Sequence, residues 1–83
     1  MLAEIKTQLR TQVSNMTELP VEEIDEQAHL GELGIDSLQA LELLVAIERT
    51  YGIEIPQEEL EQFTSINKVA ELVNRRVQAL VAV

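Results

Sequence analysis

The chain has no cysteine and no tryptophan, and only one tyrosine, one phenylalanine and one histidine. Without cysteine there is no disulfide framework, and the chain has no thiol of its own. A single histidine, His29, with no cysteine beside it makes no credible set of metal ligands, and a surface loop position is expected for it. With aromatics at 2%, the core has to be assembled from Leu, Ile, Val and Ala, whose packing lacks the ring geometry of aromatic pairs. Basic residues are scarce too, six against fifteen acids, for a net charge of −9. A chain of this sign repels nucleic acid and attracts basic protein surfaces. No apolar run approaches the length of a membrane span. The start, Met1-Leu2-Ala3-Glu4, lacks the basic-then-apolar order of a secretory signal. A cytoplasmic protein with no nucleic-acid and no membrane partner is the expectation.

What the chain does have is 46% hydrophobic residues in 83. That is too apolar for a disordered acidic tail and enough for one domain, residues 1–83, around one small core. Its charge is unevenly spread. From Glu18 to Glu61 there are thirteen acids and one base, Arg49, for −12; residues 1–17 carry +1 and residues 62–83 carry +2. The acid is concentrated in the middle. As a count it suits any solvated surface; as a cluster it suits a docking face for basic partners.

Leu2, Ile5, Leu9 and Val13 recur at helical spacing and predict a first helix over residues 2–15. Residues 16–36 form a long connection. Leu19-Pro20 turns it away from helix, and Val21 to Asp25 has room for one helical turn. Connections this long in small domains are usually functional or flexible. Leu19, Val21, Ile24, Leu30, Leu33 and Ile35 are expected to pin it down.

A second helix is predicted over residues 37–51. Asp36 is a good N-cap, and Gln39 stands where a capping box wants Glu or Gln. Gly52 suits the position just past its end. Its apolar pattern is too wide for one face. Ala40, Leu43, Leu44, Ile47 and Tyr51 make one stripe; Leu38, Leu41 and Val45 make another, roughly a third of a turn away. The first is read as core and the second as a docking strip rimmed by Glu42, Glu48 and Arg49. Ile53 to Pro56 is a connector, and Gln57 to Gln62 reads as a short acidic helix started near Pro56. Thr64-Ser65 offers a cap for the last helix, residues 66–80, with Ile66, Val69, Ala70, Leu72, Val73, Val77 and Leu80 on its apolar face. Arg75 and Arg76 fall toward its C-terminal half, in agreement with the helix dipole. The tail from Val77 to Val83 is apolar but short.

The one chemical handle is the hydroxyl of Ser37, at the start of the second helix. As a nucleophile it would need a base in reach. No glycine stands two residues after it, which breaks the nucleophile elbow, and nothing brings His29 to it. The chain is also short for an enclosed substrate pocket. No window supplies a calcium loop, so no metal site is assigned. A non-catalytic protein, with Ser37 as an attachment point reachable by a modifying enzyme, is the better reading.

Leu33-Gly34-Ile35-Asp36-Ser37-Leu38 resembles the attachment signature of acyl carrier proteins. The likeness runs on through Glu42-Leu43, Ala46-Ile47-Glu48 and Tyr51-Gly52-Ile53-Glu54-Ile55-Pro56. It resumes at Phe63-Thr64-Ser65-Ile66 and the last helix, and so covers nearly the whole chain. Asp-Ser-Leu alone is common; at this depth in an acidic chain of this length it is specific. The resemblance implies an all-α four-helix bundle with a long first loop and a short third helix. It implies that Ser37, flanked by Asp36 and Leu38, carries 4′-phosphopantetheine, installed from coenzyme A by a phosphopantetheinyl transferase whose magnesium Asp36 helps to hold. Acyl intermediates would ride as thioesters on the arm, and the aliphatic interior would have room for an acyl chain. The implied docking residues are Leu38, Leu41, Glu42, Val45, Glu48, Glu54 and Ile55, facing basic patches on acyl-loading and condensing enzymes. A monomer that shuttles between enzymes is expected.

The chain departs from carriers of fatty acid synthesis, which often have acids where it has Gln39, Arg49 and Thr50. The resemblance implies a carrier in fatty acid, polyketide or specialised acyl biosynthesis, and these departures point toward polyketides or an uncommon acyl group. The alternatives are a peptidyl carrier, whose lead-in more often has two glycines where this chain has Gly34-Ile35, and an unmodified acidic helical module that binds partners.

Overall fold

The computed structural model describes residues 2–81; the last two residues of the apolar tail, Ala82 and Val83, and the initial Met1 lie outside them. Three α-helices run Leu2–Thr17 (α1), Ser37–Tyr51 (α2) and Ile66–Val81 (α3). Three 3₁₀ turns lie between them, Val21–Glu23, Leu30–Leu33 and Gln57–Gln62. The expected short third helix is the last of these. Among the described residues no strand forms, and one isolated bridge joins His29 to Ser65. No helix in this range is long and apolar enough to cross a membrane.

The core is aliphatic, as the composition requires. α1 gives Ile5, Leu9 and Val13; α2 gives Leu43, Leu44 and Ile47; α3 gives Ile66, Val69, Ala70, Leu72 and Val73. Each large side chain buried there contributes about 1.5–3 kcal/mol. α1 lies mainly against α3. Val77 is half-buried, but Leu80 is 56% exposed and does not belong to the buried face expected of it. The core stripe ends before the last turn of α3.

α1 runs two residues past its predicted end. It stops at Glu18, whose φ of 65° is left-handed although it is not glycine. Its N–H closes on the Ser14 carbonyl at 2.8 Å, and the Ser14 hydroxyl donates to the Leu19 carbonyl.

The long connection is tied down by backbone bonds as well as by Ile24, Leu30 and Ile35, all buried. The Leu30 N–H donates to the Thr64 carbonyl at 2.8 Å, and the Asn67 N–H donates to the Glu26 carbonyl at 3.0 Å. Arg10 on α1 pairs with Glu26 at 3.4 Å. These bonds fix the loop against the head of α3, and so fix where α2 begins. Ser65 caps α3, its Oγ accepting from the Lys68 N–H at 3.3 Å. Arg75 and Arg76 stand in the C-terminal half of α3, before its last turn. They hold the Gln57–Gln62 turn: Arg76 pairs with Glu59 at 2.7 Å, and Arg75 donates to Gln62 at 3.4 Å.

Candidate functional site

The chain enters α2 along a strictly guided path. The turn Leu30–Leu33 is capped at its start by His29, whose Nδ1 accepts from the Gly31 N–H at 3.0 Å. It ends at Gly34, whose φ of 96° is left-handed and suits glycine. Ile35 drops into the core, and its N–H bonds back to the Leu30 carbonyl at 3.0 Å. Asp36 then takes the N-cap in extended geometry. Its Oδ1 accepts from the Gln39 N–H at 2.8 Å, and the Gln39 Oε1 accepts from the Asp36 N–H at 3.2 Å. The capping box read from the sequence is complete. At the far end Gly52, with φ 65°, closes α2 on the Glu48 carbonyl.

Ser37 is therefore the first residue of a helix whose start cannot slide. It is exposed. The other serines are committed: Ser14 donates to the Leu19 carbonyl, and Ser65 is buried and accepts from Lys68. Thr7, Thr11, Thr17 and Thr50 each donate to the carbonyl four residues back. Ser37 is the one serine whose hydroxyl is both exposed and without a hydrogen-bond partner among the described residues. The N–H groups of Ser37 and Leu38 are likewise unpaired there. A cleft of about 400 Å³ opens beside it, with Asp36, Ser37, His29, Gln57 and Glu61 among its polar lining and Leu30, Ile35, Leu60 and Phe63 among its apolar lining.

Residues 7–73 match the family model described as the phosphopantetheine attachment site. The chain belongs to the acyl carrier protein family. It is 32% identical over 78 residues to an acyl carrier protein of Thermosynechococcus vestitus, covering 93% of this chain and 96% of that one. It is 37% identical over 73 residues to polyketide-8 synthase acyl carrier protein 2 of Streptomyces avermitilis, covering 87% and 84%. Its fold matches the crystal structure of an acyl carrier protein from Thermotoga maritima with a TM-score of 0.83, at 19% identity, over 95% of this chain and 93% of that one.

The cofactor of this family is 4′-phosphopantetheine, and the residues at the head of α2 fit it. An exposed, unbonded hydroxyl meets the need for an attachment atom. Free N–H groups at the positive end of a helix favour a phosphate. The neighbouring cleft offers polar groups to an amide-bearing arm and apolar groups to its methylene and methyl carbons. Among the described residues no three acidic, histidine or cysteine side chains are grouped so that they could together hold a metal.

The carrier's two stripes on α2 separate as their spacing implies. Leu43, Leu44 and Ile47 are buried, while Leu38 is 66% and Val45 39% exposed. Glu42 and Arg49 are exposed beside them, and Leu41 is half-buried against the core. Two residues named for the docking strip have other positions. Ile55 is buried at 4% exposure. Ile53 and Ile55 alternate in an extended stretch, so both face the core while Glu54 faces out. Ile55 thus offers no surface side chain. Glu48 is half-buried and structural: its Oε2 accepts from the Ile55 N–H at 2.8 Å. A second hollow, of about 630 Å³, lies past that bond between Val45, Arg49, Pro56 and Arg76, away from Ser37. Sequence reasoning missed His29, Gln57 and Glu61 beside Ser37. They reach the cleft through contacts between distant turns, and no local pattern announces them.

Proposed function

We propose that residues 1–83 form one carrier domain and that Ser37 Oγ bears the 4′-phosphopantetheine arm. The free, exposed hydroxyl of Ser37 carries this reading. In the attachment step, Ser37 Oγ bonds to the coenzyme A phosphorus nearest the pantetheine. The bond from that phosphorus to the other phosphate breaks, 3′,5′-ADP leaves, and the hydroxyl proton passes to a base on the transferase. Asp36 keeps Ser37 at the first position of α2, and its second carboxylate oxygen is available to the transferase's magnesium. When bound, the arm supplies the thiol that the chain lacks, so that acyl groups are carried as thioesters.

Leu38, Leu41 and Val45 form the apolar centre of the surface that partner enzymes meet, with Glu42 and Glu54 at its acidic rim. Glu48 contributes charge from within its bond to Ile55. The carrier works as a monomer in the cytoplasm and serves polyketide or specialised acyl assembly. The polyketide synthase carrier among its relatives and the uncharged or basic Gln39, Arg49 and Thr50 support that assignment. The test is incubation with coenzyme A and a broad-specificity phosphopantetheinyl transferase, read by intact mass. Wild type should gain one phosphopantetheine group and Ser37→Ala none; an equal gain on Ser37→Ala refutes the assignment.

A further inference from the structure

The exposed strip of α2 ends in a charge opposite to that of its rim. At about 100° per residue, Arg49 is turned only about 20° from Leu38, between Val45 and Glu42, and stands roughly 16 Å further along the axis. Strip and arginine therefore share one face. Arg49 is exposed, and it is the one base between Glu18 and Glu61.

No acid among the described residues pairs with it: the ion pairs there are Arg10 with Glu26 and Arg76 with Glu59. The adjacent acid, Glu48, is half-buried and accepts from the Ile55 N–H at 2.8 Å. Arg76, the other base lining the hollow beside Val45, is held by Glu59 at 2.7 Å. Arg49 is thus the unpaired base at that hollow, with Val45 and Pro56 in its apolar lining. Its place in the last turn of α2 suits the helix dipole. That stabilises the helix whatever the partner and leaves the guanidinium open to solvent.

A partner surface that is basic along its whole length gains at Glu42 and loses at Arg49, about 10 Å further on. Like charges brought together across an interface slow encounter and suppress wrong partners. A surface that is basic toward Ser37 and sets a carboxylate at the hollow gains at both ends.

We propose that Arg49 is a specificity-determining residue of the docking face. It turns away partners whose patch is basic throughout, and it takes a partner whose carboxylate pairs with it beside an apolar side chain that covers Val45. The proposal rests on attachment at Ser37 and on α2 as the face that partners meet.

The probe is a purified malonyl transferase of fatty acid synthesis with a basic docking patch. It acts on carrier loaded with phosphopantetheine, whose mass is checked first. If no group is gained, the attachment reading fails and this proposal with it. On loaded protein, Arg49→Glu should raise kcat/KM for malonyl transfer about two- to fivefold. Arg49→Gln should fall between, and Arg49→Lys should match wild type. The gain should shrink between roughly 0.05 and 0.5 M salt. Thermal melting follows the dipole contribution separately. Single Lys→Glu or Arg→Glu changes across the transferase patch then locate the matching position: one of them should speed transfer to the wild-type carrier and slow transfer to Arg49→Glu. A rate unmoved or lowered by Arg49→Glu, or no patch position that couples to residue 49, overturns the proposal. Glu42→Lys shows which reading has failed. If it slows transfer while Arg49→Glu has no effect, the docking face stands and the role of Arg49 falls; if neither changes the rate, both fall.

Discussion

Replacing Asp36 by Ala and, separately, by Asn should divide two jobs that one carboxylate holds. As a cap, Asp36 accepts from the Gln39 N–H at 2.8 Å in an exposed, reciprocal box. Losing such a cap to Ala costs about 1 kcal/mol. In a domain of this size that lowers Tm by about 4–8 °C. Asn is as good an N-cap as Asp, and its loss of charge at the helix start is worth only about 0.3–1 kcal/mol. Asp36→Asn should therefore melt within a few degrees of wild type and above Asp36→Ala. If the carboxylate also serves the transferase, both variants should be modified at similarly reduced rates, measured by intact mass over time with coenzyme A in excess. The sharp comparison is Asp36→Asn. Modification at the wild-type rate would show that the cap is the carboxylate's whole role. A melt as low as that of Asp36→Ala would show that the stabilising contribution is charge and not the cap hydrogen bond.

Three further outcomes are expected. Leu43→Ala, at a site 1% exposed, should lose about 2–5 kcal/mol, read as a fall in Tm of at least about 8 °C, whereas Leu38→Ala should melt like wild type and lose partner-dependent acylation; matching melts would mean that the stripes of α2 are exchanged. Glu42→Lys should slow acylation several-fold, roughly, through the association rate, with its melt unchanged; unaltered kinetics would mean that partners do not read this face. Burial, and then the charge of Glu4, raises the Tyr51 hydroxyl above its ordinary pKa of 10.0. The unfolded chain ionises first, so this contribution to stability is intact below about pH 10 and is lost as pH rises through the folded value; Tyr51→Phe should remove that alkaline loss. The Tyr51 hydroxyl is also buried without a partner, so the same variant should be at least as stable as wild type at pH 7; a clear drop in Tm there would reveal a partner for the hydroxyl.

α2 was legible at both ends because its signals are local: Asp36 and Gln39 three residues apart, and Gly52 at the turn that follows. Its two stripes were legible for the same reason, since a helix presents its own periodicity. The end of α1 was not, because the left-handed residue there is Glu18, where a glycine would have marked the stop. The resemblance puts Ile55 in the docking set, but the alternation of Ile53, Glu54 and Ile55 in an extended connector turns both isoleucines inward. The role of Glu48 toward the Ile55 N–H spans the Gly52 turn and belongs to no repeating pattern. The setting of His29 depends on Thr64 and Ser65, far along the chain, and a tertiary bridge of that kind leaves no trace in local composition. Ser37 could be singled out from its position. What distinguishes it from Ser14 and Ser65 is hydrogen bonding, which required the folded chain.

Peptide-level mass spectrometry of the wild-type protein after loading from coenzyme A tests the central claim most directly. The chain carries nine hydroxyl side chains of Ser, Thr and Tyr, so the position of the group is informative in itself. Fragment ions should place a single phosphopantetheine on Ser37 and leave Ser14, Ser65 and every threonine unmodified. A group found on any other hydroxyl, or none on fully folded protein, would contradict the account.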